Sequence, residues 1–541
     1  MLDKLSPNQR LIVAVVLSVV FFVAYTAIFP PVSNEVAIDA KKEKAQMGDE
    51  ATKLVKASPL DVEVGHNISQ DEKIADISST NTILTVKNKN FILKMDTLGR
   101  ISSKELLQEK FRDSEDRHAQ LIPSSGAKPL YVRFLDEKLN AEASSTPYSS
   151  SVSEIAIEGE AQKVTLTQKL STLNVVKELT FYADGHYDAT ISLSEDKRYF
   201  IYVGKRPQVN ETEQMMTAKG ALVYTDDKKL TIIEDGDVEG RLTFSGVELV
   251  ASFDQYTTSM MYGFSKDANI VIDRDNDDNP VAYFNGLQTM KVNGYIGQKN
   301  FKTLNNINPV LTNVIEYGWF TFASQPLFLV LSWLHGVFGN WGWSIIALTG
   351  IIRLVLYPLT YKGMMSMQKM KDLAPKLKEL KEKYKKDPQK LNAMTMDMYK
   401  KNGANPLGGC LPMLMQIPVF YAIYRLLLNS VELQGAEWIL WIDDLSRMDA
   451  YYIMPLLMGA SMFLQQRMTP TNFTDPMQEK IMKYLPVIFT FFFVTFPSGL
   501  VLYWFVNNLF SIAQQFIVNQ QFQNMKDAQM AVAKNKEKKD D

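Results

Sequence analysis

The sequence predicts a polytopic α-helical membrane protein, with six spans and a five-helix core carrying a hydrophilic groove, joined to a large extracytoplasmic antiparallel β-sandwich. Three observations carry that prediction. Apolar and polar residues alternate over roughly 230 residues of the first half, with frequent turn clusters. The second half, from residue 311 to 520, is rich in Phe, Leu, Met and Trp. Within it, Arg353 stands in the acid-free apolar run Trp343 to Leu359.

In chain order, Lys4 and Arg10 precede an apolar run from Leu11 to Phe29, long enough to span a bilayer. Its exit, Ile28-Phe29-Pro30-Pro31, lacks a small-x-small cleavage pattern, so residues 1–32 read as an uncleaved anchor with a cytoplasmic N-terminus. Residues 33–80 are polar, include Lys41-Lys42-Glu43-Lys44, and read as a flexible linker. Residues 81–318 form the sandwich. Runs such as Val164-Thr165-Leu166-Thr167 and Asp188-Ala189-Thr190-Ile191 have period two, and Asp184-Gly185 and Asp235-Gly236 mark turns. Following an anchor with its N-terminus inside, this domain is expected outside the cytoplasm.

Residues 319–338, apolar with Pro326, Trp333 and His335, read as a helix along the outer interface. Transmembrane helices are expected at 339–361, 406–430, 451–467, 482–497 and 499–520, the last two joined by a turn at Phe496-Pro497-Ser498-Gly499. Residues 362–405 form a cytoplasmic helical hairpin, and 521–541 a basic cytoplasmic tail. Loop charge supports this order, because basic loops alternate with the acidic segment Val431 to Ala450, as positive-inside requires when both termini are cytoplasmic.

Arg353 lies ~15 Å and ~12 Å along the helix from the two ends of its run. In a hydrocarbon core of ~30 Å that is near the middle. A charge there costs at least ~2.5–3.5 kcal/mol on insertion scales. The five core spans contain no Asp or Glu to pair with it. Arg425 sits close to the acidic outer loop and can reach water or Glu432. Arg353 is therefore expected in a water-filled cavity, since a dry, unpaired charge is too costly. Thr349, Gln416, Asn507, Asn508, Ser511, Gln514 and Gln515 could line that cavity, or such amides could bind helix to helix. Met413, Met415, Ile417, Pro418 and Phe420, with Phe489, Phe491, Phe492, Phe493 and Phe496, offer a soft apolar surface, or simply face lipid.

The hairpin carries 12 Lys against 5 acids between Lys362 and Lys401, with Pro388 suited to a helix start and Asn402-Gly403 to a helix end. Lys376, Lys378, Lys381, Lys383, Lys385 and Lys386 either lie on anionic lipid or dock a ribosome, a targeting factor or a nascent chain. No cofactor or metal is expected. Asp273 to Phe284 begins like a calcium loop, but Asp278 stands where Gly is needed and Phe284 where Glu is needed. The single cysteine, Cys410, excludes an intrachain disulfide. With no His, Asp or Glu in the core spans, intramembrane hydrolysis is not expected, and the chain does not read as an enzyme. A transporter or channel for an anionic solute is the alternative, though no paired repeat is visible.

Four motifs carry a resemblance: Arg353-Leu354-Val355-Leu356-Tyr357-Pro358-Leu359-Thr360, Asn405-Pro406-Leu407-Gly408-Gly409-Cys410, Asp475-Pro476-Met477-Gln478 and Phe496-Pro497-Ser498-Gly499-Leu500-Val501-Leu502-Tyr503. They resemble the YidC family of membrane-protein insertases, in its Gram-negative form. The resemblance implies an outer β-supersandwich that is largely dispensable for insertion. It implies insertion of nascent membrane proteins, alone or with the Sec translocon, and chaperone-like help in folding. It places Arg353 as the groove charge beside Thr349 and Gln416, with Ile417, Pro418, Phe492 and Pro497 on the helices along which substrates slide. Some relatives carry two tyrosines where this chain has Tyr503-Trp504, so no hydroxyl role carries over to 504.

Overall fold

The computed structural model describes residues 81–111, 117–209, 217–315, 321–385, 387–404, 406–469 and 476–540. The expected N-terminal anchor and linker, Lys386, and the Asn405 and Asp475 positions of two motifs lie outside the described residues. The chain divides into two compact units, a β-rich one and a helical one.

The β-rich unit contains three sheets. The largest has nine strands and is antiparallel throughout, with hairpins Gln162–Lys169, Asn174–Phe181 and His186–Leu193 side by side. The alternation that predicted these strands is what buries them. Val164, Leu166, Val175, Leu179, Ala189 and Ile191 point into the core, while Thr165 and Thr190 stay partly exposed. The Asp184-Gly185 turn closes the last hairpin, with Gly185 at φ +94°, a conformation that favours glycine. A five-stranded antiparallel sheet contains Val132–Phe134, Tyr199–Tyr202 and Pro280–Asn285. The four-stranded sheet departs from expectation in one respect. Glu154–Ala156 runs parallel to Thr82–Lys87, so the domain is not purely antiparallel. Two short helices, α1 (Glu137–Ser145) and α2 (Phe301–Ile307), are capped by Asp136 and Asn300.

The segment that only begins like a calcium loop is an Asx-stabilised turn. Asp275 Oδ1 accepts from the backbone N–H groups of Asp277 and Asn279, and Asp278 adopts φ +58°. No group of acids or histidines suited to a metal occurs among the described residues.

The helical unit comprises α3 (Thr321–Phe338), α4 (Trp341–Asp372), α5 (Ala374–Lys383), α6 (Pro388–Lys401), α7 (Pro406–Asn429), α8 (Ile453–Met468), α9 (Pro476–Phe493) and α10 (Ser498–Asp540). By length and composition α4 and residues Ser498–Ala528 of α10 could each cross a membrane. Helix α3 buries Phe328, Leu331 and Leu334 and exposes Leu329, Trp333 and Val337 on its other face. Its Ser324 hydroxyl donates to the Ala422 carbonyl of α7.

Helix α4 begins at Asn340, whose side chain caps Trp343 N and donates to the Glu437 carbonyl. It does not stop at residue 361. Pro358 is accommodated within it, and the Lys- and Met-rich segment after it, despite Gly363, carries the helix on to Leu373-Ala374-Pro375. Helix α6 starts with Asp387 as cap and Pro388 in its first turn, and ends at Asn402 with Gly403 at φ +59°, as the sequence signals indicate. Helices α8 and α9 approach closely at Gly459, where an added Cβ would fall 1.9 Å from Thr490 Oγ1.

Candidate functional site

Helix α4 packs against α10, which also packs against α8. Arg353 projects from α4 onto α10 and remains partly exposed. Its Nε donates to Asn507 Oδ1 at 2.8 Å. Its Nη2 donates to the Asn507 carbonyl at 3.1 Å and to Ser511 Oγ at 2.5 Å. Ser511 Oγ in turn donates to the Asn507 carbonyl. The expectation of an unpaired arginine thus needs a correction. Among the described residues the charge meets no carboxylate, but three of its five N–H groups are bound by neutral acceptors on a neighbouring helix. These groups are satisfied without ion pairing.

Arg353 is the first rung of a polar ladder. Gln514 Nε2 donates to Thr360 Oγ1 at 2.6 Å, Gln368 Nε2 to Asn519 Oδ1 at 3.0 Å, and Lys526 Nζ to Asp372 Oδ1 at 2.5 Å. Residue numbers rise together along both helices, so α4 and α10 run parallel. The separation of partners stays at 151 to 158 throughout. From Arg353 to Asp372 the seam covers about 28 Å.

The other expected groove residues are placed differently. Thr349 is buried, with its hydroxyl donated to the Ile345 carbonyl of its own helix. Asn508 is buried and donates to Ser461 Oγ at 3.0 Å, joining α10 to α8. That is the helix-binding role amides often take. Gln416 on α7 is partly exposed and forms no hydrogen bond among the described residues. None of these three is hydrogen-bonded to Arg353 among the described residues.

The apolar residues also separate into two groups. Ile417, Pro418 and Phe492 are exposed, Ile417 and Phe492 by about half of their surface. Pro497 is buried at the turn between α9 and α10, where it bridges to Met448. The turn it belongs to is tied to the segment Leu445 to Met448, with Ser498 N–H donating to the Arg447 carbonyl and Gly499 N–H to the Leu445 carbonyl. Between these helices lies an aromatic cluster. Trp504 meets Phe420 edge-on at 4.5 Å between ring centroids, and Phe493 at 5.2 Å. Phe496 lies 5.0 Å from both Phe492 and Phe493. Arg425 is buried.

On the hairpin, Lys376, Lys378, Lys383 and Lys385 are exposed and Lys381 is partly so. Leu373 and Leu377 are buried. Lys383 and Lys390 both lie over the Tyr384 ring, holding two cations near one aromatic face where α5 gives way to α6.

The fold comprises a β-rich unit and a helical unit; two helices of the latter are long and apolar enough to cross a membrane, and between them Arg353 meets no carboxylate among the described residues. Comparison with other proteins narrows the class. The profile described as YidC periplasmic domain matches residues 83–330, and that described as 60Kd inner membrane protein matches residues 333–526. A protein of Wolinella succinogenes named membrane protein insertase YidC is 46% identical over 531 residues, covering 98% of each chain. Relatives with the same name in Campylobacter jejuni and Helicobacter pylori are 43% and 42% identical, each covering at least 96% of both chains. The chain belongs to the YidC family of membrane protein insertases, and is an inner-membrane protein with a periplasmic β-rich domain.

Proposed function

We propose that the chain inserts nascent apolar segments into the inner membrane, receiving the polar flank of an incoming polypeptide in a hydrated groove beside Arg353. The observation that carries the groove is the state of Arg353. It is a positive charge with no counter-ion among the described residues, held sideways on α10 and still partly exposed. Such a charge is tolerable only where water reaches it. The polar tail of a substrate replaces that water during its crossing, and acidic tails gain most. The apolar segment leaves along the exposed Ile417, Pro418 and Phe492 side. Its burial in lipid, at about 25 cal/mol per Å², supplies the driving force without a nucleotide.

The reading includes six spans, with both termini cytoplasmic and residues 33–318 periplasmic. The parallel course of α4 and α10 supports it. With α7, α8 and α9 as three further crossings between them, alternation brings both helices through in the same direction. The exposed lysines of α5 and α6, with the basic tail, suit a polyanionic ribosome, a targeting factor or anionic lipid. Work beside the Sec translocon and assistance in folding belong to the same proposal.

Site-specific crosslinking tests it. A photoreactive residue at position 418 or 492 should capture a stalled nascent chain through its apolar segment. Capture equal to that from Leu354, on the exposed outer side of α4, would contradict a dedicated exit path.

A further inference from the structure

We propose that Asn507 and Ser511 are positioning residues, which fix the Nε and Nη2 edge of Arg353 and leave Nη1 as the only donor group offered to a passing chain. The inference rests on the groove reading above. A guanidinium has five N–H groups. Nε–H and both Nη2–H meet three acceptors, all on Asn507 and Ser511. The two Nη1–H have no partner among the described residues. Carboxylates usually grip arginine at two nitrogens at once. With one nitrogen free, an acidic tail meets the full charge through a single point. That contact attracts strongly enough to select and is loose enough to release, which a passage site requires.

The acceptor types matter as much as their positions. Only the oxygen of the Asn507 amide can face Nε–H, because its NH₂ would set donor against donor. The Ser511 hydroxyl gives its own proton to the Asn507 carbonyl, so its oxygen is turned toward Nη2. Both side chains are nearly fully buried. Aspartate at 507 would match asparagine in shape, keep these bonds, and cancel the charge. Asparagine binds the edge and leaves the charge in place.

The test uses the full chain in cells depleted of their own insertase. Two single-span reporters share one apolar segment and differ only in an acidic or a neutral tail. Asn507→Asp should lower the ratio of acidic-tail to neutral-tail insertion by roughly tenfold. Ser511→Asp cancels the charge from the other acceptor and should lower the ratio similarly, which covers failure of one variant to accumulate. An unchanged ratio in these variants, while Arg353→Ala lowers it, overturns the inference and leaves the groove reading standing. An equal fall for both reporters also overturns it, because Asn507 would then be only a packing residue. If Arg353→Ala itself leaves the ratio unchanged, the groove reading fails instead.

Discussion

The two units bury cations in opposite ways. In the β-rich unit Arg100 donates from Nε to Asp96 Oδ2 at 2.8 Å, with both side chains about 2% exposed. Asp96 Oδ1 also accepts the backbone N–H groups of Leu98 and Arg100. Lys177 is buried and donates to the carbonyls of Gly99 and Leu130, and Lys104 to those of Gly185 and Ile296. In the helical unit Arg353 has neutral acceptors and, among the described residues, no carboxylate and no partner for one nitrogen. Both units satisfy buried N–H groups. At these sites the β-rich unit compensates charge, either with a carboxylate or by making the neutral form accessible, whereas Arg353 meets only neutral acceptors among the described residues.

The contrast can be broken most severely at Asp96. Asp96→Ala strands Arg100 in the core and should destabilise the β-rich unit by about 3–5 kcal/mol, read as a lower urea midpoint for that unit. The corresponding change in the helical unit, Arg353→Ala, removes a charge that has no partner ion. It should cost little stability and reduce insertion of acidic-tailed reporters by roughly tenfold, with Arg353→Lys milder. Equal loss of stability in the two variants would erase the distinction.

Burial lowers the Lys177 amine to about 7, an effect only partly opposed by Asp96, and burial likewise lowers Lys104 to about 7. Both values lie below the unfolded amine's, so the unfolded chain binds more protons between pH 7 and about 10.5. Stability of the β-rich unit should therefore rise as pH increases from 7 through 9.5. Lys177→Met should flatten that slope, as measured by denaturant midpoints at the two pH values. A wild-type slope of opposite sign would contradict buried, near-neutral lysines. The smallest effect is expected at the exposed end of the ladder. Lys526→Ala loses a solvent-screened pair with Asp372 and should change stability by less than about 1 kcal/mol.

Much of this was legible in the sequence. Period-two runs marked the strands, Asp387-Pro388 and Asn402-Gly403 bounded α6, and the position of Arg353 singled it out. The polar stripe Asn507, Ser511, Gln514 on α10 was also visible, at helical spacing within an apolar run. Its partners were not, because the parallel register of α4 and α10 is a long-range fact that neither helix encodes alone. Thr349 and Asn508 looked like groove residues by type. Sequence could not show that one hydroxyl returns to its own helix and one amide binds Ser461. Lys177 lay in the inward phase between Val175 and Leu179, so alternation alone placed it inside. A charge rule would have moved it out, and the carbonyls of Gly99 and Leu130, with the Tyr148 ring 4.6 Å away, explain why it stays.

Water at Arg353 is the central claim, and the lone cysteine permits a direct measurement. In a Cys410→Ser background, Arg353→Cys and Leu354→Cys place thiols on adjacent faces of α4, one toward α10 and one on its exposed outer side. A hydrophilic, membrane-impermeant thiol reagent, applied to membranes containing the full chain, should label position 353 and leave 354 unlabelled. Labelling of 354 but not 353, or of neither, would contradict a hydrated groove.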